Sequence, residues 1–203
     1  MSDDSKSTAN DKRRLEILAA TLRLLRQEGS GISTAQIAAE ARCSKETLYN
    51  WFGDREGILM ALISEQARSM HMSVSQGDGN IRDRLVDAAA RLLDVATGEA
   101  LLTVNWVAMA DTCRSNDRLG AAVRQHWEQQ IGEAIRKLVG DAQSEGLLAY
   151  DDQQDAIDAF YGLLIGDRQR RMLLGSDIRM DGQAMNDHAR IAVGRWISLF
   201  SSD

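Results

Sequence analysis

Residues 44–52 carry side chains suited to contacting nucleic acid. The apolar residues Leu48 and Phe52 stand four positions apart, which puts them on the same face of a short helix. That face must pack inward, because so short a helix does not hold in water without packing. The remaining side chains then point outward, and several can bond to phosphates or base edges: Lys45, Glu46, Thr47, Tyr49, Asn50 and Trp51.

The neighbouring residues predict the elements that position this helix. Thr34 precedes an apolar set beginning at Ile37, so we expect a helix over about 35–41 whose first amides are capped by the Thr34 hydroxyl. Ser44 takes the same place before the second helix. Asp54 follows Gly53 and is placed to cap a third helix. Together these features predict a helix-turn-helix, whose second helix lies in the DNA major groove.

Residues 11–60 resemble the DNA-binding domain of the TetR family of bacterial transcription regulators. The resemblance rests on a leading helix, Lys12 to Glu28, and on the following positions: Thr34, Ile37, Ala38, Ala41, Ser44, Lys45, Thr47, Leu48, Tyr49, Phe52, Asp54, Arg55, Glu56, Ile58 and Leu59. It implies that side chains of the second helix touch bases or phosphates and that residues at helix starts hold the DNA backbone. The interface implied in this way is Thr34, Ser44, Lys45, Thr47, Tyr49, Asn50, Trp51 and Arg55.

Two positions depart from the pattern of that family. Arg42 stands where a glycine usually makes the left-handed turn between the helices, which costs a non-glycine residue roughly 1 kcal/mol. It indicates either a strained turn or an additional phosphate contact. Trp51 replaces a more usual tyrosine or histidine, which bears on base specificity. The alternative for the whole segment is a packed three-helix unit without a nucleic-acid role, but Lys45, Tyr49 and Asn50 would then form an unusual solvated face.

The composition favours an all-α protein. The 203 residues include no proline, helix-forming residues dominate, and strand-like alternation is absent. Cys43 and Cys113 are far apart, which favours neither a disulfide framework nor a zinc site. The sequence shows neither a signal peptide nor a long apolar run, and we therefore expect a soluble cytoplasmic protein with no membrane partner.

The charge distribution separates two parts of the chain. The net charge is −6, but residues 1–60 hold nine basic and nine acidic residues, so the deficit lies in the remainder. A neutral DNA-binding domain makes few phosphate contacts and gains affinity when two copies bind together. Lys6, Lys12, Arg13 and Arg14 form a basic arm, of which residues 1–10 are predicted to be disordered because polar residues dominate there.

Helical periodicity predicts about nine helices in two domains. The first three span about 11–28, 35–41 and 45–52, and a fourth runs from Asp54 to about Met72. The later helices span about 81–97, 99–113, 117–145, 152–174 and 182–201. We therefore predict a disordered arm over 1–10, a helix-turn-helix domain over 11–56, and a helical ligand-binding and dimerisation domain over 57–203.

The last two predicted helices have more apolar surface than one core requires. Residues 156–166 are almost wholly apolar, and Gly162 and Gly166 would allow a second helix to approach closely. The resemblance implies a homodimer in which these helices form a four-helix bundle. The predicted contact residues are Gly162, Gly166, Met185, His188, Ala192 and Trp196. The alternative is that both helices merely close a monomeric core.

The C-terminal domain contains residues that could line a mostly apolar cavity for a small molecule. The predicted lining residues are Met70, Trp106, Met109, Cys113, Trp127, Phe160 and Tyr161. For any one of them, the alternative is an ordinary place in a filled core. The order of helices over residues 102–167 is similar to the AefR-like branch of TetR C-terminal domains, and this similarity names no ligand.

Catalytic, metal and cofactor sites are not predicted. His71, His126 and His188 are too scattered for a catalytic dyad or a metal cluster, and no phosphate-binding glycine loop occurs. Three hypotheses remain. The first is a homodimeric repressor that binds a palindromic operator in double-stranded DNA and is released by a small-molecule inducer. The second is an activator or ligand-independent regulator, and the third is an enzyme or carrier with a vestigial DNA-binding domain.

Overall fold

The computed structural model describes residues 3–74, 79–113 and 118–201, and every regular element in these ranges is a helix. This confirms the predicted all-α class. The helices are α1 (Asp3–Glu28), α2 (Thr34–Glu40), α3 (Lys45–Phe52), α4 (Arg55–Val74), α5 (Ile81–Thr97), α6 (Glu99–Cys113), α7 (Arg118–Trp127), α8 (Glu133–Ser144), α9 (Gln153–Leu164), α10 (Arg168–Leu173) and α11 (Gly182–Phe200). Taken singly, none of these helices has the length and apolar character needed to cross a membrane, although the bent pair α5 and α6 passes that test jointly.

Interruptions in two predicted helices raise the number from about nine to eleven. The predicted helix over 117–145 contains a π-helical segment, Glu128–Gly132, between α7 and α8. The predicted helix over 152–174 ends at Leu164 and restarts as α10, because Gly166 in the intervening turn has φ +53°. This left-handed conformation cannot continue a right-handed helix, and glycine adopts it without a steric penalty.

Helix α1 is longer than predicted. It begins at Asp3, so residues 3–10 continue the helix and do not form the disordered arm that their composition suggested. These residues include neither glycine nor proline. Extending an existing helix is far easier than starting one, and this stretch has no residue that stops a helix. The helix predicted from residue 11 therefore extends back to Asp3.

The chain divides into two compact units. The first consists of Met1–Glu65 and Thr103–Arg124, and the second of Gln66–Leu102 and Gln125–Asp203. The predicted domain boundary after residue 56 falls inside α4, two residues from its start. The first unit thus contains α1–α3 and the first half of α4, together with a distant part of the chain that runs from the later turns of α6 into α7.

The core of the second unit lies where α11 packs against α5 and α9. Trp196 on α11 is fully buried, and its indole N–H donates a 2.7 Å hydrogen bond to the carbonyl oxygen of Ala156 on α9. Its ring centroid lies 5.1 Å from that of Phe160. Burial of Leu85 and Leu92 on α5 completes this core. The antiparallel run of α9 and α11 is therefore fixed by both apolar packing and a directional hydrogen bond.

Candidate nucleic-acid interface and ligand site

Helix α2 begins with a capping box. The Ser33 hydroxyl accepts a hydrogen bond from the Gln36 amide at 3.3 Å, and the Gln36 side-chain oxygen accepts one from the Ser33 amide at 2.9 Å. The expectation that the Thr34 hydroxyl caps this helix is therefore wrong. Thr34 is the first residue of the helix, and the capping position is the one before it. The Thr34 side chain remains available for other contacts.

The turn between α2 and α3 is a Schellman motif with arginine at the left-handed position. The Cys43 amide donates to the Ala38 carbonyl at 2.9 Å, and the Arg42 amide donates to the Ala39 carbonyl at 3.1 Å. Arg42 has φ +51° and is the one non-glycine residue with positive φ in the described parts of the chain. The strained turn predicted as one of the two alternatives at this position is thus what the structure has, at a cost of about 1 kcal/mol.

Two arginines of α1 contact the helix-turn-helix. Arg13 donates to the carbonyl oxygens of Ala41 and Arg42 at 2.7 and 2.9 Å. The Arg14 guanidinium lies over the Phe52 ring, 4.8 Å from its centroid. The sequence predicts a basic arm that includes both arginines, whereas in the structure both contact residues of the first unit. Burial raises the pKa of the Cys43 thiol in this turn, and the Arg13 charge acts in the opposite direction.

Helix α3 has the predicted anchors and cap. Leu48 and Phe52 are buried, and Ser44 is the N-cap. The Ser44 hydroxyl accepts a hydrogen bond from the Thr47 amide at 3.0 Å, and its oxygen lies 2.9 Å from the Thr47 hydroxyl oxygen. A capped and anchored helix presents its other side chains in fixed directions.

Three of the outward side chains of α3 can contact DNA, and we call them the recognition face: Lys45, Tyr49 and Asn50. All three are exposed, Tyr49 to 53%. The Tyr49 hydroxyl oxygen lies 3.5 Å from the Thr34 hydroxyl oxygen at the start of α2. Trp51 is half-buried and makes an edge contact with Phe52. A large exposed aromatic residue beside a lysine and an amide fits a surface that meets DNA.

The residue expected to hold the DNA backbone after α3 has a protein partner. Asp54 accepts a hydrogen bond from the Gly57 amide at 2.8 Å and so caps α4 as predicted. Next to it, Arg55 forms an ion pair with Asp111 of α6 at 3.4 Å, and both side chains are largely buried, 25% and 12% exposed. In the same unit, Trp106 of α6 lies against Gly29, where an added Cβ would stand 3.1 Å from the indole ring. These two contacts bind α6 to both ends of the helix-turn-helix.

The predicted ligand-site residues fall into two groups. Trp106, Met109 and Cys113 belong to the first unit and are exposed, Met109 to 58%. Trp127, Phe160 and Tyr161 belong to the second unit. Phe160 is almost fully buried between Tyr161 and Trp196. The side chain of Met70 lies outside the described residues.

Tyr161 is the most unusual polar side chain of the second unit. Its hydroxyl oxygen is buried and, among the described residues, has no hydrogen-bond partner. Burial raises the pKa of this hydroxyl, and the Trp127 indole offsets part of the effect without completing a hydrogen bond. Trp127 directly precedes the π-helical segment, where Glu128 pairs with Arg136. Such segments are frequent at functional sites.

The predicted dimerisation residues differ in accessibility. Gly162 and Gly166 are exposed, while Met185 and His188 are half-buried. His188 also contacts the Leu164 carbonyl oxygen at 2.8 Å through Nε2. Ala192 and Trp196 are buried in the protomer's own core, so they offer no surface to a partner. The large apolar side chains of α11 that are exposed are Ile191 and Leu199, at 52% and 65%.

Known proteins resemble this chain over most of its length. Residues 17–62 match the model of bacterial regulatory proteins of the tetR family, and residues 83–198 match the model of the AefR-like transcriptional repressor C-terminal domain. An HTH-type transcriptional regulator of Mycobacterium bovis is 36% identical over 152 residues, or 73% of each chain. A TetR transcriptional regulator from Agrobacterium tumefaciens of known crystal structure is 34% identical, with 94% of this chain and 95% of that chain covered and a TM-score of 0.74. A Mesorhizobium loti regulator at 21% identity, with 95% and 98% covered and a TM-score of 0.72, supports the fold alone.

Proposed function

Because the chain belongs to the TetR family of bacterial transcription regulators, we propose that it is a homodimeric repressor released from a palindromic operator by a small-molecule ligand. The recognition face carries this proposal, since Lys45, Tyr49 and Asn50 are exposed on a helix that is capped, anchored and braced. The family consists of regulators and not of enzymes. We infer a cytoplasmic location because such a protein acts on the chromosome.

The operator test uses DNA flanking the protein's own coding region. We expect a retarded complex in a gel-shift assay and a footprint over two inverted half-sites. Their centres should be about 34 Å or a multiple apart on one face of the DNA, since a two-fold dimer presents two recognition helices. A footprint over one unrepeated half-site would contradict the dimeric mode. Transcription from the same promoter in vitro distinguishes a repressor from an activator.

The proposed dimer contact is the exposed side of α9 and α11. The hydrogen bonds from Trp196 to Ala156 and from His188 to Leu164 show that the two helices are antiparallel. This pairing places Gly162 at about the same height along the helix pair as Ile191. An exposed glycine beside an exposed isoleucine lets two helix pairs approach closely around a two-fold axis.

We expect Gly162→Leu to weaken dimerisation by about 100-fold or more. No atom beyond the adjoining helix backbone lies within 4 Å of a Cβ added there, so the isolated protomer accommodates the leucine. At a two-fold contact both protomers carry the substitution, so the steric cost of overpacking arises twice in each dimer. Sedimentation velocity at micromolar concentration measures the change. Lys137→Leu on the exposed surface of α8 is the control and should remain dimeric. Gly166 is a poorer test, because its positive φ makes any substitution strained.

The ligand site is proposed to include Tyr161 and Trp127. A buried hydroxyl without a partner is costly in the free protein and becomes favourable when a ligand supplies the missing hydrogen bond. Trp127 beside it supplies an aromatic wall. We propose that the same ligand acts on DNA binding by favouring one separation of the two recognition helices.

Tyr161→Phe is expected to stabilise the ligand-free protein by about 1 kcal/mol, because the substitution removes the unpaired hydroxyl and keeps the ring. Urea denaturation at pH 7 measures this. The pKa of Tyr161 is raised in the folded state, so the wild type should lose stability as the pH rises through the usual pKa of tyrosine, and the variant should lose less. An equal or lower stability of the variant at pH 7 would show that the hydroxyl is satisfied.

A further inference from the structure

We propose that Arg13 is a positioning residue for DNA recognition, which braces the turn between α2 and α3 by hydrogen bonds to its backbone. One guanidinium nitrogen donates to two successive carbonyl oxygens, of Ala41 at 2.7 Å and of Arg42 at 2.9 Å. The other terminal nitrogen is held by Glu16 at 2.8 Å, one turn further along α1. The side chain is therefore fixed at both terminal nitrogens and points at the turn.

The turn needs this brace because its left-handed residue is not glycine. Arg42 at φ +51° has the steric cost that a glycine avoids. The carbonyl groups at the end of α2 also carry the partial negative charge of a helix C-terminus, which a cation stabilises. Arg13 supplies that cation and two charge-assisted hydrogen bonds, one to the strained residue itself and one to the residue before it.

The direction of α3 depends on this turn. Ser44, the N-cap of α3, follows Arg42 by two residues, so a change in the turn tilts the recognition face. The far end of α3 is held from the same part of α1, where Arg14 lies 4.8 Å from the centroid of the Phe52 ring. Two adjacent residues of α1 thus fix the two ends of α3, and Arg13 fixes the end nearer Lys45.

A direct bond to a DNA phosphate is the alternative role for Arg13, and the salt dependence of binding separates the two. Each phosphate that a protein no longer neutralises lowers the slope of log affinity against log salt by about one. A brace neutralises no phosphate. Removing it misplaces the recognition face and lowers affinity, with the slope unchanged.

The first experiment compares the operator affinities of Arg13→Ala and Lys12→Ala at salt concentrations from about 50 to about 200 mM. Lys12 is exposed and adjacent, so both variants remove one positive charge from the same turn. We expect Arg13→Ala to lower the affinity of the dimer for the operator about 100-fold, roughly tenfold for each copy, with an unchanged salt slope. Lys12→Ala should change affinity by less than about threefold. A slope reduced by about two in Arg13→Ala, or equal losses in both variants, would overturn the proposal.

The second experiment needs no DNA and so is independent of the proposed operator. Hydrogen exchange of the free protein follows the amides of Arg42 and Cys43, which close the turn. We expect faster exchange at both in Arg13→Ala, at least about tenfold, and wild-type exchange in Lys12→Ala. Arg42→Gly relieves the strain, so adding Arg13→Ala to it should then have a smaller effect. Unchanged exchange in Arg13→Ala would refute the proposed bracing role of Arg13. Faster exchange in a protein that binds no operator would refute only the proposed operator binding.

Discussion

Trp196→Ala is expected to lower the free energy of unfolding by about 4 kcal/mol. The side chain is fully buried, its ring packs against Phe160 and Phe200, and its N–H is bonded to the Ala156 carbonyl oxygen. Truncation therefore leaves a large cavity between α9 and α11 and removes the hydrogen bond that the indole donates to the Ala156 carbonyl oxygen. Equilibrium denaturation in urea at a fixed protomer concentration measures the loss.

Two variants show which part of the indole matters. Trp196→Phe keeps most of the ring and loses the hydrogen bond, so its cost should be smaller, about 1–2 kcal/mol. Arg195→Ala changes the exposed neighbour and should stay within about 0.5 kcal/mol of the wild type. A loss below about 1 kcal/mol in Trp196→Ala would mean that this residue is not the centre of the core.

Lys45→Ala is expected to weaken operator binding by at least about 100-fold, because the substitution acts in both protomers of the proposed dimer and each bond to a base contributes about 1–3 kcal/mol. Lys45 is exposed at the first turn of α3 and packs in no core, so the protein should fold and dimerise normally. Fluorescence anisotropy with a labelled operator, repeated at several salt concentrations, measures the affinity.

The salt dependence identifies the partner of Lys45. If Lys45 bonds to a phosphate, its removal from each protomer should reduce the salt slope by about two, whereas removal of a bond to a base should relax the preference for one base pair. Lys137→Ala, which removes an exposed lysine of α8, is the control for net charge and should bind as the wild type does. Wild-type affinity in Lys45→Ala would show that α3 meets DNA with another face.

The sequence could predict the local features of the helix-turn-helix because each depends on neighbouring residues. The spacing of Leu48 and Phe52 predicted the buried face of α3, and the missing glycine made a strained turn at Arg42 one of two predicted alternatives. Ser33 and Thr34 both offer a capping hydroxyl, so the start of α2 was misplaced by one residue. Arg13 lies 28 residues from Ala41, and no local pattern links such a pair.

The longer helices show where periodicity alone is ambiguous. Helix α11 is apolar on two sides, and the pattern does not tell which stripe meets the protomer's own core; the structure buries Trp196 and exposes Ile191. The π-helical segment did leave a signal. Large side chains that are buried or half-buried recur at intervals of four residues, at Trp127, Ile131 and Ile135. In a regular α-helix, positions four residues apart are rotated by about 40° around the helix axis, so this row would turn away from the core. A wider turn at Glu128–Gly132 absorbs this rotation.

The composition of the first unit has a consequence for protein engineering. The segment Thr103–Arg124 belongs to the same compact unit as residues 1–65, and it contributes Asp111 to Arg55 and Trp106 to the end of α1. A chimera that joins residues 1–65 to a foreign sensor domain would leave Arg55 without this carboxylate and Gly29 without its aromatic cover. The transplantable module is therefore discontinuous in sequence, and a graft has to carry the later turns of α6 along with the helix-turn-helix.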